Sequence, residues 1–233
     1  LLHEILRIAR YHQPRVLFLE NVKNFLGHAE GETLSTTLRL LNRAGHHVHY
    51  SLLNASCYGV AQKRERVYFV AFRKDLGITT FRFPEPTNED CAVEDILLSE
   101  NDSRLDALVI EREDLHLKSE RPTERENRPI RIGTVGKGGQ GERVYSPKGH
   151  AITLSAFGGG IGAKTGMYLI DQRIRRLHPE ECARLMGFPE GFKLHTRPNV
   201  CYKQFGNSVA VPVVRAVFKS IEQALETQSL RAA

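Results

Sequence analysis

The 233-residue sequence has no CxxC pair, no long apolar run and no internal repeat. Its four cysteines, Cys57, Cys91, Cys182 and Cys201, are spaced too widely for a paired zinc site. They read as reduced thiols in a cytosolic protein. No stretch reaches the roughly 18–20 apolar residues of a membrane-spanning helix, and no signal peptide is visible. Gly136, Gly138 and Gly141 spell GxGxxG. A dinucleotide fingerprint must open a helix, whereas "ERVYSPKG" follows here. "GGGIGAKTG" carries Ala163 where a phosphate loop needs its second glycine, and a strand-like "MYLI" comes next. Both nucleotide motifs are therefore excluded, and these glycines read as turns or as backbone that must approach a ligand closely. His46, His47 and His49 lack a carboxylate or cysteine at useful spacing, so His47 and His49 read as a solvated strand face rather than a metal site.

What is present suits a protein with a real core: 41% of the residues are hydrophobic. The net charge is +6 and the sequence pI about 9.2, which favours a polyanionic partner. Helical spacing covers 1–12, and the absence of an initiator Met or a cap suggests a piece of something longer. A buried strand is expected over 15–19 and an amphipathic helix over 33–44, stopped by Gly45. "HHVHYSLLNA" and "RVYFVAFR" are strands. This alternation predicts a parallel sheet. Residues 88–130 are charged and weakly periodic, and 131–170 are Gly-rich with short β-like runs. Helices return at "HPEECARLMGF", with Pro179 in the first turn and Gly187 at the C-cap, and at "VPVVRAVFKSIEQALETQ".

Three segments carry chemistry. "VLFLENVKNF" places the carboxylate of Glu20 after four apolar strand residues. "QKRER" precedes a buried strand. Alternation there would turn Arg64 and Arg66 to one side, where two guanidiniums can grip a phosphate or a planar carbonyl. Gly206-Asn207-Ser208 forms a polar turn before a helix, with N–H groups free to hold an anion.

In this order, Glu20-Asn21-Val22, Gln62-Lys63-Arg64-Glu65-Arg66, R-x-L-x-P-E-x-x-x-x-L-x-G-F-P and Gly206-Asn207-Ser208-Val209 resemble the DNA (cytosine-5)-methyltransferase family. The match covers most of the chain outside a variable middle stretch. Family members more often carry Thr at the His178 position and Gln at the Met186 position. The resemblance implies an α/β fold: a partial Rossmann-like, S-adenosylmethionine-dependent methyltransferase domain plus a small, irregular β-rich target-recognition domain. The expected boundaries are 1–87 for catalytic chain, 88–172 for recognition and 173–233 for the return to the catalytic domain. It implies S-adenosylmethionine as cofactor, double-stranded DNA as partner and no membrane. The setting would be cytoplasmic, as in bacteria or phage, or otherwise DNA-associated.

The implied reaction adds a cysteine thiolate to cytosine C6, after which C5 attacks the sulfonium methyl. The addition puts negative charge on N3 and O2. By motif match, Glu20 as a neutral acid donates to N3 and reads the amino group, Arg66 holds O2 and Arg64 supports the site. A carboxyl ending a buried strand can be kept protonated. The base must leave the duplex to reach these groups. Asn207, Ser208 and Val209 would help to enclose the cofactor. Arg121, Arg125, Arg128, Arg131 and Arg143 would touch DNA.

Two family hallmarks are absent, a Phe-x-Gly-x-Gly loop and a Pro-Cys-Gln nucleophile. No cysteine follows a proline, and Cys57 in "NASCYGV" reads as a packed thiol. The chain alone is therefore expected to be inactive. It would be a fragment of a full enzyme, a subunit of a split enzyme whose missing N-terminal half or complementary subunit brings the nucleophile, or a decayed pseudoenzyme. A severed sheet edge would need covering. A non-catalytic DNA-binding module is the alternative.

Overall fold

The computed structural model describes residues 1–232. The regular elements are α1 (Leu2–His12), β1 (Val16–Val22), α2 (Glu32–Arg43), β2 (His46–Asn54) and β3 (Glu65–Arg73). Then follow β4 (Leu115–Leu117), β5 (Arg131–Val135), β6 (Arg143–Tyr145), β7 (Met167–Ile170), β8 (Arg173–Arg175), α3 (Pro179–Leu185), α4 (Pro198–Asn207) and α5 (Val211–Ala232). The chain packs as two compact units. One comprises Leu1–Asn54, Glu65–Glu85 and the chain from Arg215 on; the other comprises Ala55–Arg64 and Pro86–Val214.

The first unit holds a three-stranded sheet in the order β1-β3-β2. Both pairings are antiparallel, which corrects the parallel sheet expected from the alternation of elements. The crossover through α2 does leave β1 and β2 running the same way, as a βαβ unit requires. They are not neighbours, because β3 returns between them in the opposite direction. Spacing along a sequence cannot reveal such an insertion. As the central strand, β3 has both faces covered, and Val67 through Phe72 are all buried. β1 is an edge. Its residues from Val16 to Asn21 are half-buried rather than buried, and the strand runs through Glu20 to Val22 instead of ending before the carboxylate. Phe18 stacks on Tyr68 with ring centroids 5.7 Å apart and meets Phe218 of α5 edge-on at 5.2 Å. Leu6 and Ala9 of α1, and Thr37 and Leu41 of α2, face the core at helical spacing. His46 is buried, and His49 packs between Phe72 and Phe81. The histidine stretch is thus part of the core rim, not the solvated face that polarity implied.

The second unit carries a five-stranded sheet in the order β4-β5-β6-β7-β8. All its pairings are antiparallel except β6 with β7. Ile132, Val135, Val144, Met167 and Ile174 pack one apolar cluster. Tyr145, Leu154, Tyr168, Leu177, Leu185, Met186 and Phe205 belong to a larger one. α3 starts as the sequence predicts, with Pro179 in its first turn. His178 caps it, Nδ1 accepting from the Glu180 amide at 3.2 Å. Beneath the cap lies a fully buried ion pair. Glu181 takes two bonds from Arg175, at 2.7 and 2.8 Å, and two more from the amides of His178 and Leu98. Every carboxylate oxygen is satisfied, which makes the buried charge tolerable.

Candidate active site

Glu20 lies opposite Tyr68 in the ladder, and Val22 lies opposite Arg66. Arg66 is therefore the diagonal neighbour of Glu20 on the same face of the sheet, within reach of a long side chain. The guanidinium Nε stands 3.0 Å from Glu20 Oε1, with both side chains partly shielded. Arg66 also donates from Nη1 to the Glu65 carbonyl at 2.8 Å. Lys23 holds Glu65 through both carboxylate oxygens at 3.1 Å. The two groups singled out in the sequence thus meet at one end of one sheet.

Arg64 behaves differently. It precedes β3, so strand alternation does not govern it. Its guanidinium is buried and donates to three carbonyls, those of Leu154 at 3.1 Å, Gly206 at 3.0 Å and Ser208 at 2.5 Å. A planar cation suits this position, since two of those carbonyls end α4. Gln62 has the same kind of employment, which the sequence reading missed. It is fully buried, accepts from the Leu154 amide at 3.3 Å and donates to Met186 Sδ at 3.3 Å. Polarity before a strand gave no hint that Gln62 and Arg64 face inward to hold 151–154 and the end of α4.

The Gly206-Asn207-Ser208 segment is not a free turn. Gly206 and Asn207 close α4, a helix the sequence reading omitted, and Ser208 is its C-cap. The Ser208 amide bonds Phe205 O at 3.2 Å, and its hydroxyl donates to the same oxygen at 3.0 Å. Asn207 is exposed and Val209 half-buried.

In the second unit, two Gly-rich loops lie backbone against backbone. Gly162 N donates to Gly141 O at 2.8 Å, and a Cβ on Gly141 would sit 2.2 Å from the Gly159 carbonyl. Only glycine allows this approach. Of the arginines expected at DNA, Arg125 is bound by Glu94 and Asp95, and Arg128 by Glu126. Those two carry charge already neutralised by neighbours; Arg121 and Arg131 are exposed.

The thiols are all free. Burial, reinforced by Asp95, pushes Cys91 up to about 11, and burial holds Cys182 well above the usual thiol range. Cys201 is buried and donates to His195 O at 3.1 Å. Cys57 is half-buried; its carbonyl accepts from the Thr87 amide at 2.8 Å.

The first unit thus pairs a carboxylate with a guanidinium on one strand face, and the second unit carries the two Gly-rich loops. Residues 1–223 match the family model for C-5 cytosine-specific DNA methylases, and the chain belongs to that family of S-adenosylmethionine-dependent methyltransferases. Among its relatives is the type II methyltransferase M.HhaI of Haemophilus parahaemolyticus, 47% identical over 225 residues, which span 97% of this chain and 68% of that protein. M.NlaX of Neisseria lactamica is 34% identical over 99% of this chain and 70% of its own length. The fold is shared with S. pombe Dnmt2 methyltransferase, with a TM-score of 0.67 at 18% identity over 97% of this chain and 71% of the other. Among the described residues, no helix is long and apolar enough to cross a membrane.

Proposed function

We propose that this chain supplies the base-holding face and the target-recognition region of a DNA cytosine C5 methyltransferase. On this reading it acts on a cytosine turned out of duplex DNA and depends on another polypeptide segment for its nucleophile. The observation that carries the reading is the 3.0 Å approach of Arg66 to Glu20 on one sheet face. A pyrimidine held there meets a carboxyl at N3 and its amino group, and a cation at O2. Charge that develops on N3 and O2 during nucleophilic addition is then met by preorganised partners. The ring takes over Arg66's contact with Glu20, and the desolvation it brings favours the neutral acid that donates to N3. Arg64 acts through the backbone, fixing Ser208 and the loop at Leu154 rather than touching the base.

Asn207, which is exposed, and Val209, which is half-buried, would help to hold S-adenosylmethionine, and Ser208 shapes the turn between them. When bound, the cofactor supplies an electrophilic methyl group. A thiolate is still required at C6, and this sequence offers no Pro-Cys-Gln. Cys91 and Cys182 sit where the neutral thiol is favoured.

The test is transfer of labelled methyl groups to cytosine-containing duplex, by the chain alone and with the N-terminal third of a relative such as M.HhaI. Transfer only in the mixture is expected. Transfer by the chain alone would show that a resident cysteine serves. Duplex binding without transfer in either arm would favour a non-catalytic DNA-binding module.

A further inference from the structure

Phe157 stands 76% exposed at the head of the Gly158–Gly160 run. Its backbone is nevertheless held on the N-terminal side. Ser155 N donates to Lys164 O at 3.0 Å. Ala156 is buried so tightly that a Cβ on Gly206 would sit 2.1 Å from its nitrogen. The ring itself is positioned by Lys203 of α4, whose Nζ lies 5.2 Å from the ring centroid. Phe157 also borders a cavity of about 430 Å³ between the two Gly-rich loops, with Gln140, Glu142 and Lys164 around it. Glu142 is turned to the Gly139 amide at 2.9 Å, and Lys164 to Asn199 at 3.1 Å.

An apolar ring held out in solvent gains little in the free protein. It becomes favourable beside a ligand that offers a flat π-face next to a negative charge. A nucleotide offers both, and the chain's net charge of +6 has the matching sign. We propose that Phe157 is a stacking platform for one base of the bound DNA, and that Lys203 pairs with the phosphate beside that base. This rests on the DNA reading above and adds to it a residue that no charge or motif pattern in the sequence reveals. A partner that packs on the ring only through apolar area would not distinguish phenylalanine from leucine; a base would.

The experiment is fluorescence anisotropy of a labelled cytosine-containing duplex with the full chain, comparing wild type with F157A, F157L, F157Y and K203A. All four side-chain changes fall at exposed positions, and unchanged thermal melts would confirm folding. F157A should weaken binding roughly 5- to 150-fold, the range that one base–aromatic stack carries. F157L should be nearly as weak, and F157Y should restore affinity. K203A should lower the slope of log affinity against log salt by about one phosphate contact. If wild type binds and F157A or F157L binds equally well, the platform is wrong while the DNA reading stands. If wild type binds no duplex at any salt concentration, both fall together.

Discussion

Arg64 and Arg66 stand two positions apart and serve different ends. Arg66 meets a carboxylate on a partly shielded strand face; Arg64 ties three carbonyls together inside the second unit. Arg64→Ala should therefore lower stability, by about 3 kcal/mol or more, because buried carbonyls lose their donor. Urea unfolding of the isolated chain measures this, and Arg64→Lys should recover only part of it, since an ammonium lacks the fork. Glu181→Gln should cost about 3–5 kcal/mol, as breaking a buried pair strands Arg175. His46 gives a pH signature. Burial lowers its pKa below the ordinary 6.5, against the raising effect of the Pro14 and Ala44 carbonyls, with Arg73 and Asp75 also nearby. The folded state thus resists protonation that the unfolded chain accepts. Stability is full above about pH 6.5 and falls as the pH drops below it. Thermal melts at pH 7.5 and 5.5 should show this loss, and His46→Leu should shrink it.

Much of the element order can be read in the sequence, and the failures have physical reasons. α1, α2, β2, β3 and α3 sit where periodicity and caps place them. β1 runs three residues further than its apolar stretch, because a ladder pairs backbone regardless of side-chain polarity; Glu20 is inside it. α4 escaped notice because its polar residues gave only a weak apolar stripe, and because Gly206-Asn207 reads as a turn. The antiparallel insertion of β3 depends on pairing at long range, which no local pattern encodes. Glu20 and Arg66 were legible as a pair through motif order; the inward roles of Arg64 and Gln62 were not, since their partners are backbone carbonyls and amides remote in sequence. Gly206 links α4 to the loop it packs on. Gly206→Ala should lower the Tm by roughly 6–12 °C, equivalent to about 3 kcal/mol in a chain of this size. Differential scanning calorimetry reads it directly.

At the scale of the whole chain, the sheet edge matters most. β1 presents Val16, Leu17, Phe18 and Leu19 only half-buried, with Val22 and Phe218 exposed nearby. An apolar edge strand of this kind invites pairing. The chain alone should self-associate with rising concentration, as seen by light scattering, and an added segment that completes the sheet should suppress this. The second unit should be indifferent to that addition. The most direct test of the Glu20–Arg66 site is a double-mutant cycle on methyl transfer in the reconstituted mixture. Glu20→Gln and Arg66→Ala should each slow transfer about 10²–10³-fold, as loss of one charge-stabilising contact does. The pair together should be scarcely slower than either alone if, as proposed, both act on one ring. Arg66→Ala transferring methyl groups at the wild-type rate would contradict the shared site.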